Sequence, residues 1–316
     1  MYLLYNCVTT GPMYPGSNPE LVAAVSAAGG LGVVQPISLT HLYGHDFREG
    51  LRLIKRLTDK PFGVNLTIMP QARYMRQTDT WMNIAIEEGV KFFLTSLGKP
   101  DPVVRKAEEN HGVVVYHDVH TPEVAMKVLD SGVHGLNCLN DRMGGQTGNR
   151  NAEDFALSLL ARNVKVPLVC SGGVAASADL AQTLDHGYAG VLVGTRFLAT
   201  DECLVTRAYK EAIVAAGEED IVWTNKMAGT NSSVIRTPSV ERGGLRVSRF
   251  VAWLLRNPST KDVVRMAMLT RSLGTYKKAA FDETFQYWQA GKGVAGIAGV
   301  ESVATVMARF AAVYAE

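Results

Sequence analysis

The chain has 316 residues, 47% of them hydrophobic, which suits one large α/β domain or one domain with an insertion. A formal net charge of +2 with interspersed signs argues against nucleic acid or an anionic membrane as a partner. The opening residues lack the pattern of a signal peptide or a spanning helix, and the four cysteines lack metal-ligand spacing. We therefore expect a cytoplasmic protein with reduced thiols and without a metal site.

Short apolar runs typical of buried parallel strands recur along the first 200 residues. They are residues 3–8, 31–34, 61–66, 92–95, 113–116, 135–138, 166–170 and 190–193. Helical patterns separate them, at residues 21–28, 47–57, 81–88, 100–110, 121–131, 152–162 and 175–186. This alternation predicts an α/β fold, a (β/α)8 TIM barrel. The rival is an open doubly wound sheet, but its glycine fingerprint is missing after the first run, where the chain reads Thr9-Thr10-Gly11-Pro12.

The last third of the chain departs from this rhythm. Residues 202–216 have a helical pattern, residues 224–237 are polar and rich in turn formers, and helical pieces in residues 245–273 are broken at Asn257-Pro258. We predict a barrel over residues 1–217 and a small, mostly helical lid or insertion over residues 218–292. A C-terminal helix within residues 293–316 then completes the barrel.

Glycine turns follow the seventh and eighth predicted strands. They read Ser171-Gly172-Gly173 and Gly194-Thr195. Glycine lets main-chain N–H groups approach an anion, and the two hydroxyl groups add further donors. Barrels commonly bind phosphate in the loops after these two strands. The pair of turns therefore predicts a phosphate site, and the alternative is that the glycines only make tight turns between strand and helix.

Several motifs carry a resemblance to a known family, and together they span nearly the whole chain. They are residues 27–32, residues 61–66, Gly144-Gly145, residues 171–173, residues 193–200 and residues 290–293. On these motifs the chain resembles the nitronate monooxygenases, formerly called 2-nitropropane dioxygenases, which are FMN-dependent barrels. The family is similar to the flavin enoyl-acyl-carrier-protein reductases and to NAD(P)H:quinone reductases.

The resemblance implies FMN as the cofactor. It implies that the FMN phosphate is held by Gly172, Gly173, Gly194 and Thr195, to which the turn adds the hydroxyl group of Ser171. It also implies that Met13 and Asn65 touch the flavin and that Gly144 and Gly145 lie along it. A methionine at this place is also typical of packing, and an amide can hydrogen-bond a flavin heteroatom in either direction.

Two positions depart from the family pattern. Gln146 stands where the family usually has the histidine that acts on the nitronate, and glutamine cannot take up a proton near neutral pH. Gln146 could instead polarise a carbonyl or nitro oxygen through a hydrogen bond. Asp118 stands where many relatives have a flavin-contacting lysine. His117 or His120 could restore an acid or base, and the alternative for each is a packed or solvated side chain.

Three functional hypotheses follow. The first is a nitronate monooxygenase that oxidises a small nitronate-type substrate with oxygen. The second is an FMN-dependent reductase or dehydrogenase of enoyl or acyl thioesters, or of quinones, with NAD(P)H as co-substrate, because hydride transfer to a flavin needs no histidine. The third is a protein that binds FMN without turnover. In the two enzymatic cases the partner is a small-molecule substrate, and a homodimer is a possible assembly.

Overall fold

A computed structural model describes residues 7–69, 71–227 and 229–313, without the side chain of Asp262. The described strands are β1 (Val8–Thr10), β2 (Gly32–Val34), β3 (Phe62–Ile68), β4 (Phe92–Leu97), β5 (Val114–Val119), β6 (Gly135–Leu139), β7 (Gly145–Gln146), β8 (Leu168–Ser171), β9 (Gly190–Val193), β10 (Ile221–Thr224) and β11 (Ser232–Ile235). Eight of them pair in parallel, in the order β1-β9-β8-β6-β5-β4-β3-β2. The ring closes where the Thr10 N–H donates to the Leu31 carbonyl and the Leu31 N–H to the Val8 carbonyl, each at 3.0 Å. The predicted barrel is confirmed.

Helices lie between the barrel strands and continue beyond them. They are α1 (Pro19–Ala27), α2 (Phe47–Leu57), α3 (Ala72–Glu87), α4 (Asp101–Glu108), α5 (Pro122–Leu129), α6 (Ala152–Leu160), α7 (Ser177–Asp185), α8 (Thr195–Leu198), α9 (Arg207–Ala215), α10 (Pro238–Gly243), α11 (Arg249–Arg256), α12 (Lys261–Phe281) and α13 (Val303–Ala312). The final helix packs against α1 and α7, so it fills the outer layer next to the first and last units of the barrel.

Apolar side chains form two layers on opposite sides of the strands. Leu94 and Tyr116 belong to a small cluster inside the barrel, whereas Phe93 and Val115, one residue earlier, belong to the large cluster shared with the helices. Successive side chains of a strand point to opposite faces, so this alternation marks both sides as buried. Strands buried on both faces need the near-continuous apolar runs that the sequence shows.

Side chains cap the amino ends of several helices, whereas α1 lacks such a cap. The Asp46 side chain caps α2 by accepting from the N–H of Arg48 at 3.0 Å, and Thr121 caps α5 in the same way. Asn18 precedes Pro19 at the start of α1, but its amide does not cap the helix. It donates to the Glu202 carbonyl at 2.9 Å and accepts from the Leu204 N–H, so a tertiary contact replaces the local cap.

Several boundaries or segments differ from the sequence expectations; the helix expected over residues 81–88, for example, begins at Ala72. The first strand was expected over residues 3–8, of which residues 3–6 lie outside the described part of the chain; the strand that is described includes Thr9 and Thr10. His117 and Asp118 lie within β5 and not beyond its end. The turn-rich stretch 224–237 contains β11, which pairs with both β10 and β7 in a small antiparallel sheet.

Residues 218–292, called the excursion below, contain this small sheet together with α10, α11 and the 21-residue helix α12. The break predicted at Asn257-Pro258 separates α11 from α12. The excursion therefore combines a small antiparallel sheet with three α-helices. Of the helices in residues 7–313 that are described, none is long and apolar enough to cross a membrane.

Candidate active site

A cavity of about 390 Å³ opens at the carboxyl ends of the barrel strands, between the barrel and the excursion. From the barrel side it is lined by predicted site residues, namely Met13, Asn65, Gly144, Gly145, Gln146, Gly172, Gly173, Gly194 and Thr195. From the excursion side it is lined by α12 through Met266, Leu269, Thr270, Ser272, Leu273 and Tyr276. The cavity therefore has the size and the position of a cofactor and substrate site in such a barrel.

The two glycine turns lie side by side at one end of this cavity. Strands β8 and β9 pair with Ser171 opposite Leu192, which brings Gly172 next to the end of β9. Gly172 has φ of +119° and Gly173 has φ of +85°, a backbone conformation that side chains other than glycine rarely adopt. Asn140 fixes the turn, since its amide donates to the Gly172 carbonyl at 2.9 Å.

Free main-chain donors point to an anion at this place. Among the described residues, no acceptor takes the N–H groups of Gly173, Gly194 and Thr195. Unpaired N–H groups that converge on a cavity are the usual means of binding phosphate. The space beside Gly194 is open as well, because a Cβ built there would meet only the Met13 sulfur, at 3.5 Å. The turns therefore fit the phosphate group of FMN.

Thr195 links this anion site to the end of the excursion. Its hydroxyl oxygen accepts from the Gly291 N–H at 2.9 Å, which leaves the hydroxyl hydrogen available for a ligand. Gly144 packs on the same residue so tightly that a Cβ on Gly144 would lie 2.7 Å from the Gly291 nitrogen. Lys292, the next residue, is not among the cavity-lining residues, and its N–H donates to the Arg142 carbonyl at 2.9 Å.

The Ser171 side chain does not face the cavity, whereas the glycine turn that follows it does. Its side chain is buried and is not among the residues that line the cavity. The hydroxyl group donates to Asn137 Oδ1 at 2.5 Å inside the barrel. The structure thus gives this hydroxyl a protein partner, whereas the phosphate contact predicted for it has no support from the geometry.

Asn65 and Met13 line the cavity from neighbouring parts of its wall. The Asn65 amide nitrogen donates to the Leu94 carbonyl at 2.9 Å, so its oxygen remains available to accept a hydrogen bond from a ligand. The Met13 N–H donates to the Ser17 hydroxyl at 2.8 Å, which fixes the loop after β1. These positions are consistent with contacts to a flavin ring, and those contacts remain predictions.

Gln146 lies on β7 at the cavity wall, with an exposed side chain. The strand pairs with β11, and Gln146 stands opposite Ser232. Gly145 precedes it with φ of +70°, which sets the direction in which the loop enters the strand. Gln146 is therefore held by the excursion and can offer an amide donor or acceptor to a substrate.

His117 lies on the outer face of the barrel wall. It is buried, is not among the cavity-lining residues, and its Nδ1 lies 2.8 Å from the Thr95 hydroxyl. Burial, together with the nearby His120, lowers the pKa of His117 to about 4. A neutral, packed imidazole fits the structural alternative, and the catalytic role predicted for His117 gains no support. His120 has an exposed side chain and does not line the cavity.

Asp118, one residue later on β5, points the opposite way and lines the cavity. The Asn137 amide donates to its Oδ1 at 2.6 Å, and the other carboxyl oxygen has no partner in the described residues. Burial raises the pKa of Asp118 to about 7, although the hydrogen bond from Asn137 lowers it. Ser171, Asn137 and Asp118 thus form a hydrogen-bonded chain that ends at the cavity.

The sequence analysis missed Asn137, Asn140 and the cavity face of α12. Asn137, like Asn65, is an amide within an apolar barrel strand, and that pattern could have singled it out. Tyr276 also lines the cavity, and the Gln289 amide donates to its hydroxyl at 2.9 Å. Trp288 is buried and stacks on Tyr209.

The closed barrel with its cavity at the carboxyl ends of the strands defines a protein of the (β/α)8 barrel class. The chain belongs to the nitronate monooxygenase family, whose sequence profile matches residues 2–283.

Individual relatives have different activities. A (3aS,4S,5R,7aS)-5-hydroxy-7a-methyl-1-oxo-octahydro-1H-indene-4-carboxyl-CoA dehydrogenase of Rhodococcus jostii (strain RHA1) is 31% identical over 224 residues, which cover 71% of this chain and only 61% of the relative. A nitronate monooxygenase of Pseudomonas aeruginosa is 27% identical over 266 residues, covering 71% of this chain and 75% of the relative. The structure of FabK from Thermotoga maritima superposes with a TM-score of 0.81 at 25% identity, covering 99% of this chain and 94% of FabK.

Proposed function

We propose that this protein is an FMN-dependent oxidoreductase that transfers hydride between the flavin and an enoyl or acyl thioester, with NAD(P)H as the co-substrate. The observation that carries the proposal is Gln146, an amide at the cavity wall in the position of the family histidine. The described cavity-lining residues include no histidine at all. A reaction that depends on an imidazole base is thereby disfavoured, whereas hydride transfer needs only correct orientation of the reactants.

The residues of the two glycine turns would hold the FMN phosphate, through the N–H groups of Gly172, Gly173, Gly194 and Thr195. Asn65, Met13 and the Gly144-Gly145 loop would contact the ring. FMN supplies the hydride-accepting and hydride-donating centre when it is bound. The Gln146 side-chain N–H would donate a hydrogen bond to the thioester carbonyl oxygen. This bond would stabilise the negative charge that develops on that oxygen.

The dehydrogenase relative of Rhodococcus jostii supports this choice, because its name assigns it a CoA thioester. The match covers only part of that relative, so its substrate is not transferred to this chain. The apolar side chains Met266, Leu269 and Leu273 on the cavity face of α12 suit the acyl part of a thioester better than a small anion.

Nitronate oxidation with oxygen is the second candidate, and Asp118 is the observation that favours it. Its carboxyl group lines the cavity and its pKa is raised to about 7, which is suitable for a general base near neutral pH. In that case Asp118 would take the proton that the family histidine takes.

Anaerobic rapid mixing of the purified flavoprotein distinguishes these functions. We expect NADH or NADPH to bleach the flavin absorbance and an enoyl thioester to restore it. Bleaching by a nitronate but not by either pyridine nucleotide would establish the second candidate. A protein that takes up no FMN would contradict both.

The Gln146→His and Gln146→Ala variants refine the test. Under the proposal, Gln146→Ala lowers thioester turnover by roughly a hundredfold, the usual effect of removing one donor to a developing oxyanion. Of the two variants, only Gln146→His should gain nitronate activity. If Gln146→Ala kept full thioester turnover, the role proposed for the Gln146 amide would be wrong. The proposed flavin chemistry would not be affected by that result.

A further inference from the structure

The wall of the cavity next to the glycine turns carries one positively charged side chain, that of Arg142. No other arginine, and no lysine or histidine, is among the described residues that line the cavity. The single carboxyl group among them, that of Asp118, lies on β5, and β6 separates this strand from β8. An anionic group bound at the glycine turns would therefore have one cationic side chain of the cavity wall to pair with.

Arg142 lies directly against the second glycine of the turn after β8. A Cβ built on Gly173 would lie 2.8 Å from Arg142 Nε and 3.0 Å from Arg142 Cδ. A side chain at Gly173 would therefore displace the arginine, and the φ of +85° favours glycine as well. The guanidinium group is thus held beside the main-chain N–H of Gly173, which has no acceptor among the described residues.

Glu218 fixes the guanidinium group in this position and leaves one donor free. Arg142 Nη1 donates to Glu218 Oε2 at 3.0 Å, and Arg142 Nη2 donates to Glu218 Oε1. This two-pronged pair joins the loop after β6 to the first residue of the excursion. Because the Nε–H has no acceptor in the described part of the chain, it can donate to a ligand beside Gly173 while the pair with Glu218 is kept.

Carboxylates near the turn increase the need for a cation there. Asp179 accepts from the N–H groups of the two residues before α7, at 2.9 and 2.8 Å, so these donors are already taken. Glu218 raises the pKa of the Arg142 guanidinium through its hydrogen bonds, and Asp141 and Asp179 raise it further through their charges. The same carboxylates repel an anion at the glycine turns, and the charge of Arg142 offsets part of that repulsion.

We propose that Arg142 is a ligand of the FMN phosphate and that it gives this site a preference for FMN over riboflavin, the same flavin without the phosphate. The inference rests on the proposed FMN-dependent function and adds a residue to its cofactor site. The glycine turns themselves carry no charged side chain. The Arg142 Nε–H and the Gly173 N–H would donate to phosphate oxygens, and the guanidinium charge would offset the negative charge of the phosphate.

Titration of the full-length chain with FMN and with riboflavin tests this role, with flavin fluorescence as the signal. We expect the wild type to bind FMN more tightly than riboflavin, and the difference to shrink as NaCl is raised. Arg142→Gln should bind FMN roughly tenfold more weakly and riboflavin with unchanged affinity, because the lost charge-assisted hydrogen bond acts on the phosphate alone. Arg142→Lys keeps the charge, so its preference for FMN should lie between those of Arg142→Gln and the wild type.

The matched control is Arg162→Gln, which removes an arginine from another arginine–glutamate pair. Arg162 pairs with Glu123 at 3.1 Å, and its side chain is 40% exposed, against 37% for that of Arg142. Arg162 does not line the cavity. Arg162→Gln should therefore bind FMN and riboflavin with the affinities of the wild type.

Equal weakening of FMN and riboflavin binding in Arg142→Gln would assign Arg142 to the structure of the loop and overturn the proposal. Unchanged affinity of Arg142→Gln for FMN would overturn it as well. If Arg142→Gln does not fold, Arg142→Lys decides, and equal affinity of that variant for the two flavins would overturn the proposal. A wild-type chain that binds neither flavin contradicts the proposed function itself, whereas the ratio of the two affinities concerns Arg142 alone.

Discussion

The barrel and the helix α11 of the excursion differ in how far their large side chains are buried. In the barrel, Phe93 is fully buried, and Glu88 accepts from three cations of α2, Arg48, Arg52 and Lys55. In the excursion, α11 buries no residue, Phe250 is 67% exposed and Trp253 is 58% exposed. The side chains of this part of the barrel stabilise the fold, whereas the large aromatic side chains of α11 contribute little burial.

The largest expected difference between the two regions is in how much one aromatic side chain contributes to the free energy of unfolding. Phe93→Ala leaves a cavity in the main core and should lower the free energy of unfolding by about 4 kcal/mol. Phe250→Ala removes an exposed ring and should change it by less than about 0.5 kcal/mol. Urea unfolding of both variants measures the two values, and similar losses would show that the excursion is as tightly packed as the barrel.

The next effect concerns the buried carboxyl group of Asp118. Its pKa is near 3.8 in the unfolded chain and is raised to about 7 in the fold, so the folded state holds the proton more tightly. This contribution to stability is complete below pH 4 and is lost as the pH rises through 7, a change on the order of 3 kcal/mol. Asp118→Asn removes the titrating group and should flatten that part of the stability curve.

Chemical unfolding between pH 4 and pH 9 measures this difference between wild type and variant. Asp130→Asn, which removes an exposed carboxylate after α5, serves as the control and should leave the shape of the curve unchanged. Parallel curves for wild type and Asp118→Asn would mean that the carboxyl group is ionised throughout the range.

A smaller effect is expected at the predicted phosphate turn. In Gly172→Ala the new Cβ would lie 2.2 Å from Asn140 Oδ1, and φ of +119° adds strain. The turn must shift at a cost of about 2 kcal/mol, which corresponds to roughly 30-fold weaker FMN binding. Fluorescence titration with FMN measures the affinity.

Gly299→Ala is the matched control for this turn, because a Cβ at Gly299 meets no atom within 4 Å. Its FMN affinity should equal that of the wild type. Unchanged affinity in Gly172→Ala would show that the glycines serve only to turn the chain.

The smallest expected effect is at the surface charges. Glu88→Gln weakens three ion pairs of the barrel and should cost about 1 kcal/mol, less at high salt. Glu241→Gln on α10 removes an exposed carboxylate that has no salt bridge among the described side chains, and it should be nearly neutral. Thermal unfolding at low and high NaCl compares them, and a larger loss in Glu241→Gln would reverse the contrast between the regions.

Much of the barrel could be predicted because its signals are local. The apolar run over residues 190–193 coincides with β9, and Gly187 has the left-handed backbone expected after a helix, with φ of +89°. Gln146, Asn65 and the glycine turns were found from motifs, and the structure brings them to one cavity. The cofactor contacts assigned to them remain predictions.

Other features of the fold and of the site could not be predicted from any single segment of the sequence. The pairing of β7 with β11 joins residues more than 80 positions apart, and neither strand has a pattern long enough to predict it. The orientations of His117 and Asp118 were equally open, because a shift of one residue in the strand exchanges the inner and outer faces. The ladder between β4 and β5 decides that the aspartate faces the cavity and the histidine does not.

The sequence by itself determined the barrel, the family and the place of the site, since periodic apolar runs and glycine turns act over a few neighbouring residues. The tertiary structure alone decided which polar groups reach the cavity. It placed Asp118 there beside Asn137 and set α12 along the cavity. Such arrangements depend on contacts between distant segments, and no local pattern in the chain encodes them.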